Sequence, residues 1–330
     1  MSTASAAPTL RVVERVVELS SRAPSVHNTQ PWRWRVDGTR TQVLELHADR
    51  SRQLSAEDPD GRNLVISCGA ALHHAQVAAR ALGWSSSVER VAGGGDPTLL
   101  ARLHLTPGVE RGDAVELVRA IERRCTDRRR FTSWPVPDAR LSHLASTAGE
   151  WGVRALPLVD VTDRFRTELL VHRAIERQQA DARRVREQAQ WVNHGAEDGI
   201  PDSVLAEPHQ LGARRSDRFS VGLLDESGDR DVEPTDGLIV LCSAEDEPAS
   251  WLRAGEGLSA LWLRATVEGF SVVPLSQVVE VLETRLALQH EVLGGLARPL
   301  LLVRVGWQPI SSSELPRTSR RAIGDVLELS

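Results

Sequence analysis

The sequence contains no lysine, so all 40 residues counted as Lys or Arg are arginine. This absence excludes a Schiff-base enzyme, a pyridoxal-phosphate enzyme and a P-loop nucleotide-binding protein, because each of these needs a lysine side chain. Tyrosine is also absent, which excludes dehydrogenases that depend on a tyrosine acid. No G-x-G-x-x-G string follows a predicted strand. A standard dinucleotide-binding fold is therefore not expected.

Cysteine is scarce as well. The three cysteines, Cys68, Cys125 and Cys242, include no C-x-x-C pair, so neither a disulfide framework nor a zinc ribbon is indicated. The ten histidines show no metal-ligand spacing, and we expect no metal site. No stretch approaches the roughly 18 apolar residues of a membrane span, and residues 1–9 lack the features of a signal peptide. These absences favour a cytoplasmic protein without membrane contact.

What is present is the composition of an ordinary globular protein, with 41% hydrophobic and 26% charged residues. A chain of 330 residues is long enough for one large core or for two fused units. Its net charge is -5. Nucleic acid is not an expected partner, because phosphate contacts would require a basic surface.

An internal repeat favours two fused units. The segment 63–82 is apolar on nearly every face and ends at Gly83, which predicts a buried central helix. A shift of 186 positions aligns this segment with a second one, and it matches Gly69 with Gly255, and Gly83 with Gly269. The sequence therefore predicts two related central helices, one in each unit.

The same elements are predicted around both central helices. Each unit begins with an amphipathic helix, 10–21 or 138–147, followed by a strand, 32–36 or 153–158. Further apolar strands precede and follow the central helices, at 43–47, 101–105, 238–242 and 299–305. Proline and glycine at 107–113 mark the junction. We expect a first unit at residues 10–106 and a second at residues 114–330.

The second unit contains an extra stretch, residues 162–194, which is rich in Arg, Gln and Glu. An apolar stripe through Phe165, Leu169, Leu170, Val185 and Trp191 predicts that it is helical. Its arginines alternate with acidic residues, so a solvated surface is favoured over a nucleic-acid face. We interpret this stretch as an excursion over the core.

The most informative motif is R-A-P-S-V-H-N-T-Q-P-W-R-W at residues 22–34. Its A-P-S-x-x-N-x-Q-P-W pattern resembles the flavin-contacting loop of the FMN-dependent nitroreductase family at every fixed position. Prolines stiffen the loop, and hydroxyl and amide groups suit a flavin ring edge or ribityl hydroxyls. The resemblance implies that the FMN contacts include Pro24, Ser25, Val26, Asn28 and Gln30. The residues alone leave open a capped turn that satisfies only the backbone.

Three further strings resemble parts of the same family's site. The R-x-T-x-R string of Arg124, Thr126 and Arg128 resembles its R-x-S-x-K/R phosphate motif, and guanidinium groups bind phosphate bidentately. P-L-S-Q at 274–277 follows the second central helix, as does the family segment that reaches flavin N5. The resemblance thus adds Pro274, Leu275 and Ser276. The third string, L-P-R-T-S-R-R at 315–321, resembles the C-terminal basic pair that completes the phosphate site, which adds Arg320 and Arg321. An exposed Arg-rich turn and a solvated tail remain the alternatives.

These strings are divided between the units, as in a fused pseudo-dimer, so the chain resembles the two-repeat, Acg-like branch of the superfamily. The resemblance implies an α+β, nitroreductase-like fold, internally duplicated, with one FMN and no catalytic side chain. It implies hydride transfer from NAD(P)H through FMN to a nitro, quinone or similar small aromatic acceptor. One chain supplies both half-sites, so a monomer suffices. This branch is associated with a covered flavin pocket, so an FMN-sequestering protein is the alternative, whereas a scaffold without flavin is disfavoured.

Overall fold

A computed structural model describes residues 7–92, 94–109, 112–126, 131–192, 194–195, 197–200, 235–308 and 317–330. The helices of this part are α1 (Leu10–Ser20), α2 (Arg62–Ala81), α3 (Gly112–Arg123), α4 (Asp138–Gly149), α5 (Val161–Gln179), α6 (Ala182–Gln190), α7 (Pro248–Val267), α8 (Gln277–Glu280), α9 (Leu282–Ala287) and α10 (Ile323–Val326). The strands are β1 (Trp32–Val36), β2 (Val43–Ala48), β3 (Trp84–Arg90), β4 (Leu99–Pro107), β5 (Arg154–Pro157), β6 (Gly237–Ser243), β7 (Phe270–Leu275), β8 (Arg298–Trp307) and β9 (Leu327–Leu329). None of these helices has the length and apolarity that crossing a membrane requires.

The strands form two sheets with matching order. The first sheet has the order β3-β4-β2-β1-β9, and the second has the order β5-β6-β8-β7. Apart from β9, the first order is the second one read backwards, because β3, β4, β2 and β1 occupy the places of β7, β8, β6 and β5. All pairs are antiparallel except β1 with β9. Helix α1 precedes β1 as α4 precedes β5, so the elements around the two sheets follow the same order.

The two central helices, α2 and α7, pack directly on each other. A Cβ atom at Gly69 would lie 2.1 Å from the carbonyl oxygen of Leu252, and one at Gly255 would lie 2.0 Å from that of Ile66. Such contacts are shorter than any side chain tolerates, so only glycine permits this crossing. His73 and Ser259 meet at the same interface, with 2.7 Å between Nδ1 and Oγ. Gly69 and Gly255 are 186 positions apart, and so are His73 and Ser259.

One hydrophobic core contains side chains from both units, because α2 and α7 lie between the two sheets. A second cluster covers the outer face of the second sheet. Ile239 and Leu241 of β6 face the shared core, whereas Leu238 and Val240 belong to the outer cluster. This alternation is the two-residue period of a strand buried on both faces.

Helix α5 covers that outer face. It contributes Leu170, Val171 and Ile175 to the outer cluster. Residues 161–179 form helix α5 and residues 182–190 form helix α6, and the packing stripe of α5 differs from the predicted one. Phe165 is 59% exposed and Leu169 is 51% exposed, so these two apolar side chains point away from the sheet. The predicted stripe is wrong at these positions because the buried face of α5 instead contains Thr167, Leu170, Val171, Ala174, Ile175 and Gln178.

The C-terminal tail is folded back on the first unit. β9 pairs in parallel with β1, joining Trp34 with Leu327 and Val36 with Leu329. Val326 of α10 is 1% exposed and belongs to the shared core. A solvated tail, which the residues alone left open, is therefore wrong for 320–330, because strand pairing and this buried valine fix the chain.

Candidate functional site

The 22–31 loop contains three residues other than glycine in the left-handed region of backbone conformation. The φ angle is 49° at His27, 55° at Asn28 and 48° at Gln30. Such residues are uncommon and cost about 1–3 kcal/mol each unless neighbouring contacts hold them. One such contact is internal, because the Gln30 N–H donates to Ser25 Oγ at 2.9 Å. Contacts with distant segments supply the rest.

Asn28 and Gln30 bind the C-terminal tail. Arg320 Nη1 donates to Asn28 Oδ1 at 3.1 Å, and Asn28 Nδ2 donates to the Ser319 carbonyl at 3.2 Å. The Arg321 N–H donates to Gln30 Oε1 at 2.9 Å. Two sets of residues that the sequence assigned to one site therefore meet, although they lie at opposite ends of the chain.

Backbone carbonyls at the end of the excursion accept hydrogen bonds from the same two side chains. Asn28 Nδ2 also donates to the Gly199 carbonyl at 3.0 Å, and Gln30 Nε2 donates to the Glu197 carbonyl at 2.8 Å. Asp198 between them forms an ion pair with Arg52 of the first unit. The loop is thus covered by residues 197–200, and its amide groups are used in holding this cover.

Two arginines from different parts of the chain converge on one carbonyl oxygen of the loop. Arg124 Nη2 donates to the Arg22 carbonyl at 2.7 Å, and Arg320 Nη2 approaches the same oxygen at 3.4 Å. The Nε atoms of Arg124 and Arg320 are inaccessible to solvent and have no hydrogen-bond partner. Within the described residues, neither arginine forms an ion pair with a carboxylate. A bound anion would supply acceptors for these donors and would compensate their positive charge.

Burial perturbs both arginines, and neighbouring positive charge adds to the effect at Arg320. Burial lowers the pKa of Arg124 from 12.5 to about 10. The pKa of Arg320 falls to about 9, mainly through burial and then through the positive charges of Arg124 and Arg22. The Arg124 guanidinium also lies 4.8 Å from the centre of the Trp262 ring on α7, which gives it a cation–π contact. Both groups stay protonated at neutral pH, so the cluster carries an unpaired positive charge.

The other residues assigned from the sequence are less closely grouped. Pro24, Ser25 and Val26 are half-buried in the loop, and Thr126 lies just beyond α3. Arg128 lies outside the described residues. The remaining three, Pro274, Leu275 and Ser276, lie at the end of β7 and the beginning of α8.

The link from this last segment to the loop is indirect. Glu280 at the end of α8 accepts from Asn63 Nδ2 at 2.7 Å and from Gln178 Nε2 at 2.6 Å. Gln178 lines a narrow cleft together with Glu57, which is the partner of the loop residue His27. The β7 segment therefore approaches the loop through α2 and the excursion.

Sequence reasoning missed the pair formed by His27 and Glu57. His27 Nε2 lies 2.6 Å from Glu57 Oε2, and both side chains are buried. The cleft beside Glu57 has a volume of about 10 Å³, which is room for one water molecule. Asp58, next in the chain, has its pKa raised to about 6, chiefly by burial. Glu57 lies in the acidic loop S-A-E-D-P-D, where no spacing distinguishes it from solvated carboxylates.

With this geometry in view, comparison with known proteins identifies the family. The chain is 38% identical over 325 residues to a Mycobacterium tuberculosis H37Rv protein provisionally named NAD(P)H nitroreductase Rv3131, covering 97% of this chain and 92% of the relative. It is 34% identical over 333 residues to another, provisionally named NAD(P)H nitroreductase acg, covering 97% and 96%. A scan against protein-family models gives no match. The chain belongs to the nitroreductase superfamily of oxidoreductases, in its Acg-like branch.

A solved structure agrees on the fold. The crystal structure of a protein from Anabaena variabilis, provisionally described as a nitroreductase, superposes with a TM-score of 0.51 at 11% identity. The match covers 91% of this chain and 88% of that one. At this identity the likeness concerns the fold alone. The α+β, nitroreductase-like fold and the family expected from the motifs are both confirmed.

Proposed function

We propose that the chain binds one FMN non-covalently between its two units and uses it to pass a hydride from NAD(P)H to a nitro, quinone or similar acceptor. The observation that carries this proposal is the convergence of Arg124 and Arg320 on the Arg22 carbonyl, with no carboxylate partner among the described residues. A phosphate dianion would supply both the missing negative charge and acceptors for the partnerless Nε atoms.

The residues present fit FMN in chemical type as well as in charge. Arg124, Arg320 and Arg321 would hold the phosphate, together with Thr126 and Arg128. Ser25, Asn28 and Gln30 would offer hydroxyl and amide groups to the ribityl chain and the ring edge, beside Pro24 and Val26, once the bonds from the two amides to residues 197–200 open. From the second unit, the segment Pro274, Leu275 and Ser276 would face the ring. FMN, when bound, supplies the hydride chemistry that none of these side chains provides.

The role of the protein is then to bind, orient and exclude water. Left-handed residues keep the 22–31 loop in one conformation, so its polar groups are preorganised for a ligand. The contacts of Gly199 and Glu197 with the loop close the site on the excursion side. No side chain is assigned as a catalytic acid or base, because the flavin carries the electrons and the protein contributes position and electrostatics.

We also propose that the chain consists of two nitroreductase-like repeats, residues 10–106 and 114–330. The common strand order, and the repeat-related glycines where α2 crosses α7, support this division. The fused pair would then serve as its own dimer, with the polar loop from one repeat and the phosphate-binding arginines from the other.

A second function, sequestration of FMN with little turnover, is favoured by one specific observation. The Gly199 and Glu197 carbonyls accept from Asn28 and Gln30 and so cover the loop, and an acceptor or a nicotinamide ring would reach it only if this cover moves. Hydride transfer needs the two reacting atoms about 3–3.5 Å apart, which a closed cover prevents. Binding and turnover are therefore separate questions for this chain.

The test of FMN binding is direct. The purified protein is expected to be yellow and, after denaturation, to release FMN rather than FAD or riboflavin, as identified by chromatography against standards. Riboflavin, which lacks the phosphate, should bind the flavin-free protein at least about tenfold more weakly than FMN, because it forgoes charge-assisted contacts worth about 1.5–3 kcal/mol. Colourless protein that also fails to bind added FMN would refute the assignment.

A further inference from the structure

His74 is a histidine of α2 that is completely buried. Its two ring nitrogens, Nδ1 and Nε2, are inaccessible to solvent and form no hydrogen bond with the residues that the structure describes. A neutral imidazole has one donor and one acceptor, and leaving either unsatisfied in the interior is unfavourable. The adjacent His73 differs, because its Nδ1 lies 2.7 Å from Ser259 Oγ. Of the two histidines, His74 is therefore the one whose hydrogen-bonding groups are unused.

The side chains beside His74 on its own helix are small or apolar. Residues three and four positions away on a helix share one face, and here they are Ala70, Ala71, Val77 and Ala78. All four are completely buried, and none has a side-chain donor or acceptor. A hydrogen-bond partner for the ring must therefore come from outside α2.

The end of α1 connects His74 with the two buried arginines. The Leu19 carbonyl lies beside the His74 ring, and it accepts from the Arg22 N–H at 3.2 Å. The Arg22 carbonyl is the oxygen on which Arg124 and Arg320 converge. Three groups with unused nitrogens, the imidazole and the two guanidinium groups, thus lie around one short turn of backbone.

The surroundings of His74 oppose its protonation. Burial lowers the pKa of His74 well below its ordinary value of 6.5, and positive charge on Arg124, His73 and Arg320 lowers it further. The Leu19 carbonyl acts in the opposite direction, but its effect is smaller than that of burial. The ring is therefore neutral at pH 7 and can accept a proton if the local charge changes.

The buried carboxylate of α7 does not compensate this positive charge. Glu256 accepts from Gln76 Nε2 at 2.9 Å, and Gln76 lies two positions beyond His74, which places it on nearly the opposite side of α2. In the described part of the chain, no carboxylate forms an ion pair with His74 or with either buried arginine. A bound anion would supply the negative charge that this place lacks.

We propose that His74 is a third ligand of the phosphate group held by Arg124 and Arg320, and that it takes up one proton from solvent when the phosphate binds. The inference rests on the proposed function, in which this phosphate belongs to FMN. The dianion would accept a hydrogen bond from the imidazolium and would offset the repulsion from the two arginines. Because the complex holds one proton more than its free components, FMN affinity should fall as the pH rises above 7, by up to about tenfold per pH unit.

The experiment counts this proton. FMN is titrated calorimetrically into the flavin-free protein at pH 8, in two buffers that differ in ionisation enthalpy, and the difference in heat gives the number of protons taken up. At pH 8 the phosphate of FMN, with a second pKa of about 6, is already a dianion and releases none. We expect an uptake above about half a proton per FMN.

Two adjacent substitutions provide the comparison. His74→Gln should abolish the proton uptake and weaken FMN binding about tenfold to a hundredfold, in line with the loss of one charge-assisted contact. His73→Asn, which keeps a polar atom near Ser259, is the matched control. It changes a buried histidine of the same helix and should leave both the uptake and the affinity as they are in the parent.

The protonation state of the ring gives a second measurement, which a purely structural role would not change. In protein labelled with ¹⁵N-histidine, the ring nitrogens of His74, assigned through its backbone amide, should report a neutral imidazole at pH 7. Saturation with FMN or with inorganic phosphate should convert them to the protonated form. Riboflavin, which lacks the phosphate, should leave the ring neutral.

Three outcomes would overturn the proposal: FMN binding without proton uptake, a neutral His74 ring in the FMN complex, or equal FMN affinity in the parent and in His74→Gln. If His74→Gln does not fold, the ring nitrogens of the parent protein still decide. Failure to bind FMN at all would instead refute the proposed function. Inorganic phosphate would then serve as the probe, and the ring would show whether His74 belongs to an anion site.

Discussion

Replacing Arg124 with methionine should separate the stability of the flavin-free protein from its affinity for FMN. The pKa of this arginine is lowered from 12.5 to about 10 by burial, so the protonated group opposes folding at every pH below about 10. That shift corresponds to a cost of about 3 kcal/mol at most, reduced by the part of the side chain that solvent reaches. Loss of the bond to the Arg22 carbonyl and of the contact with Trp262 offsets it. We expect a net change below about 1 kcal/mol.

FMN binding should respond differently to Arg124→Met. The variant lacks a charge-assisted phosphate contact, so its Kd for FMN should rise about tenfold to a hundredfold. Denaturant unfolding, with and without FMN at a fixed concentration well above the wild-type Kd, measures both quantities in one experiment. The stabilisation that FMN confers should shrink by about 1.5–3 kcal/mol, while the flavin-free midpoint stays nearly constant.

Arg90→Met is the contrasting control. Arg90 binds Glu256 through two 2.8 Å hydrogen bonds, and Glu256 is 0% exposed. Its removal leaves the buried carboxylate without its ion-pair partner, which should cost about 3–5 kcal/mol of unfolding free energy without changing FMN affinity. If Arg124→Met destabilises the flavin-free protein as strongly as Arg90→Met and leaves FMN affinity unchanged, then Arg124 is a structural residue and the phosphate assignment is wrong.

Three further outcomes are expected. Asp198→Ala removes the ion pair with Arg52, so anaerobic bleaching of bound FMN by NADPH, which is slow in the parent, should accelerate several-fold. An unchanged rate, with dithionite still bleaching both proteins, would contradict the idea that residues 197–200 cover the flavin. The pKa of Asp58 is raised to about 6, so its protonated form stabilises the fold at low pH by up to about 3 kcal/mol, and this stabilisation is lost as the pH rises to about 6. The unfolding free energy of the parent should therefore fall between pH 4 and 6.5, and that of Asp58→Asn should not. An identical pH profile for the two proteins would show that Asp58 titrates normally. Gly255→Ala places a Cβ atom 2.0 Å from the Ile66 carbonyl and should destabilise by about 1–3 kcal/mol or more, unlike Gly324→Ala, which meets nothing within 4 Å.

The parts of the fold that were predictable are those with a strong apolar signal. Helix α2 and strand β6 are buried on nearly all sides, and their sequences are apolar along nearly their whole length. Strand β3, W-S-S-S-V-E-R, was not predicted, because it is an edge strand whose residues alternate between half-buried and exposed. Helix α3 was not predicted either, since the proline and glycine at 107–113 marked a linker, and the helix begins inside that range at Gly112.

The candidate site was predictable in its side chains but not in its backbone. Asn28, Gln30, Arg124 and Arg320 follow from short motifs, because motif resemblance records side-chain identity. The carbonyl of Arg22, on which the two arginines converge, has no signature, since every residue has a carbonyl. The contacts of residues 197–200 with the loop depend on the path of a long excursion, which local patterns do not specify.

The excursion consists of two parts that differ in how firmly they are held. Helix α5 is fixed to the outer face of the second sheet by Leu170, Val171 and Ile175, whereas α6 has no buried residue. Amide hydrogens of α5 should therefore exchange slowly, with the sheet, and those of α6 should exchange quickly through local opening. Any motion that uncovers the loop would pivot near Asp181, between the two helices, and leave the apolar face of the sheet covered.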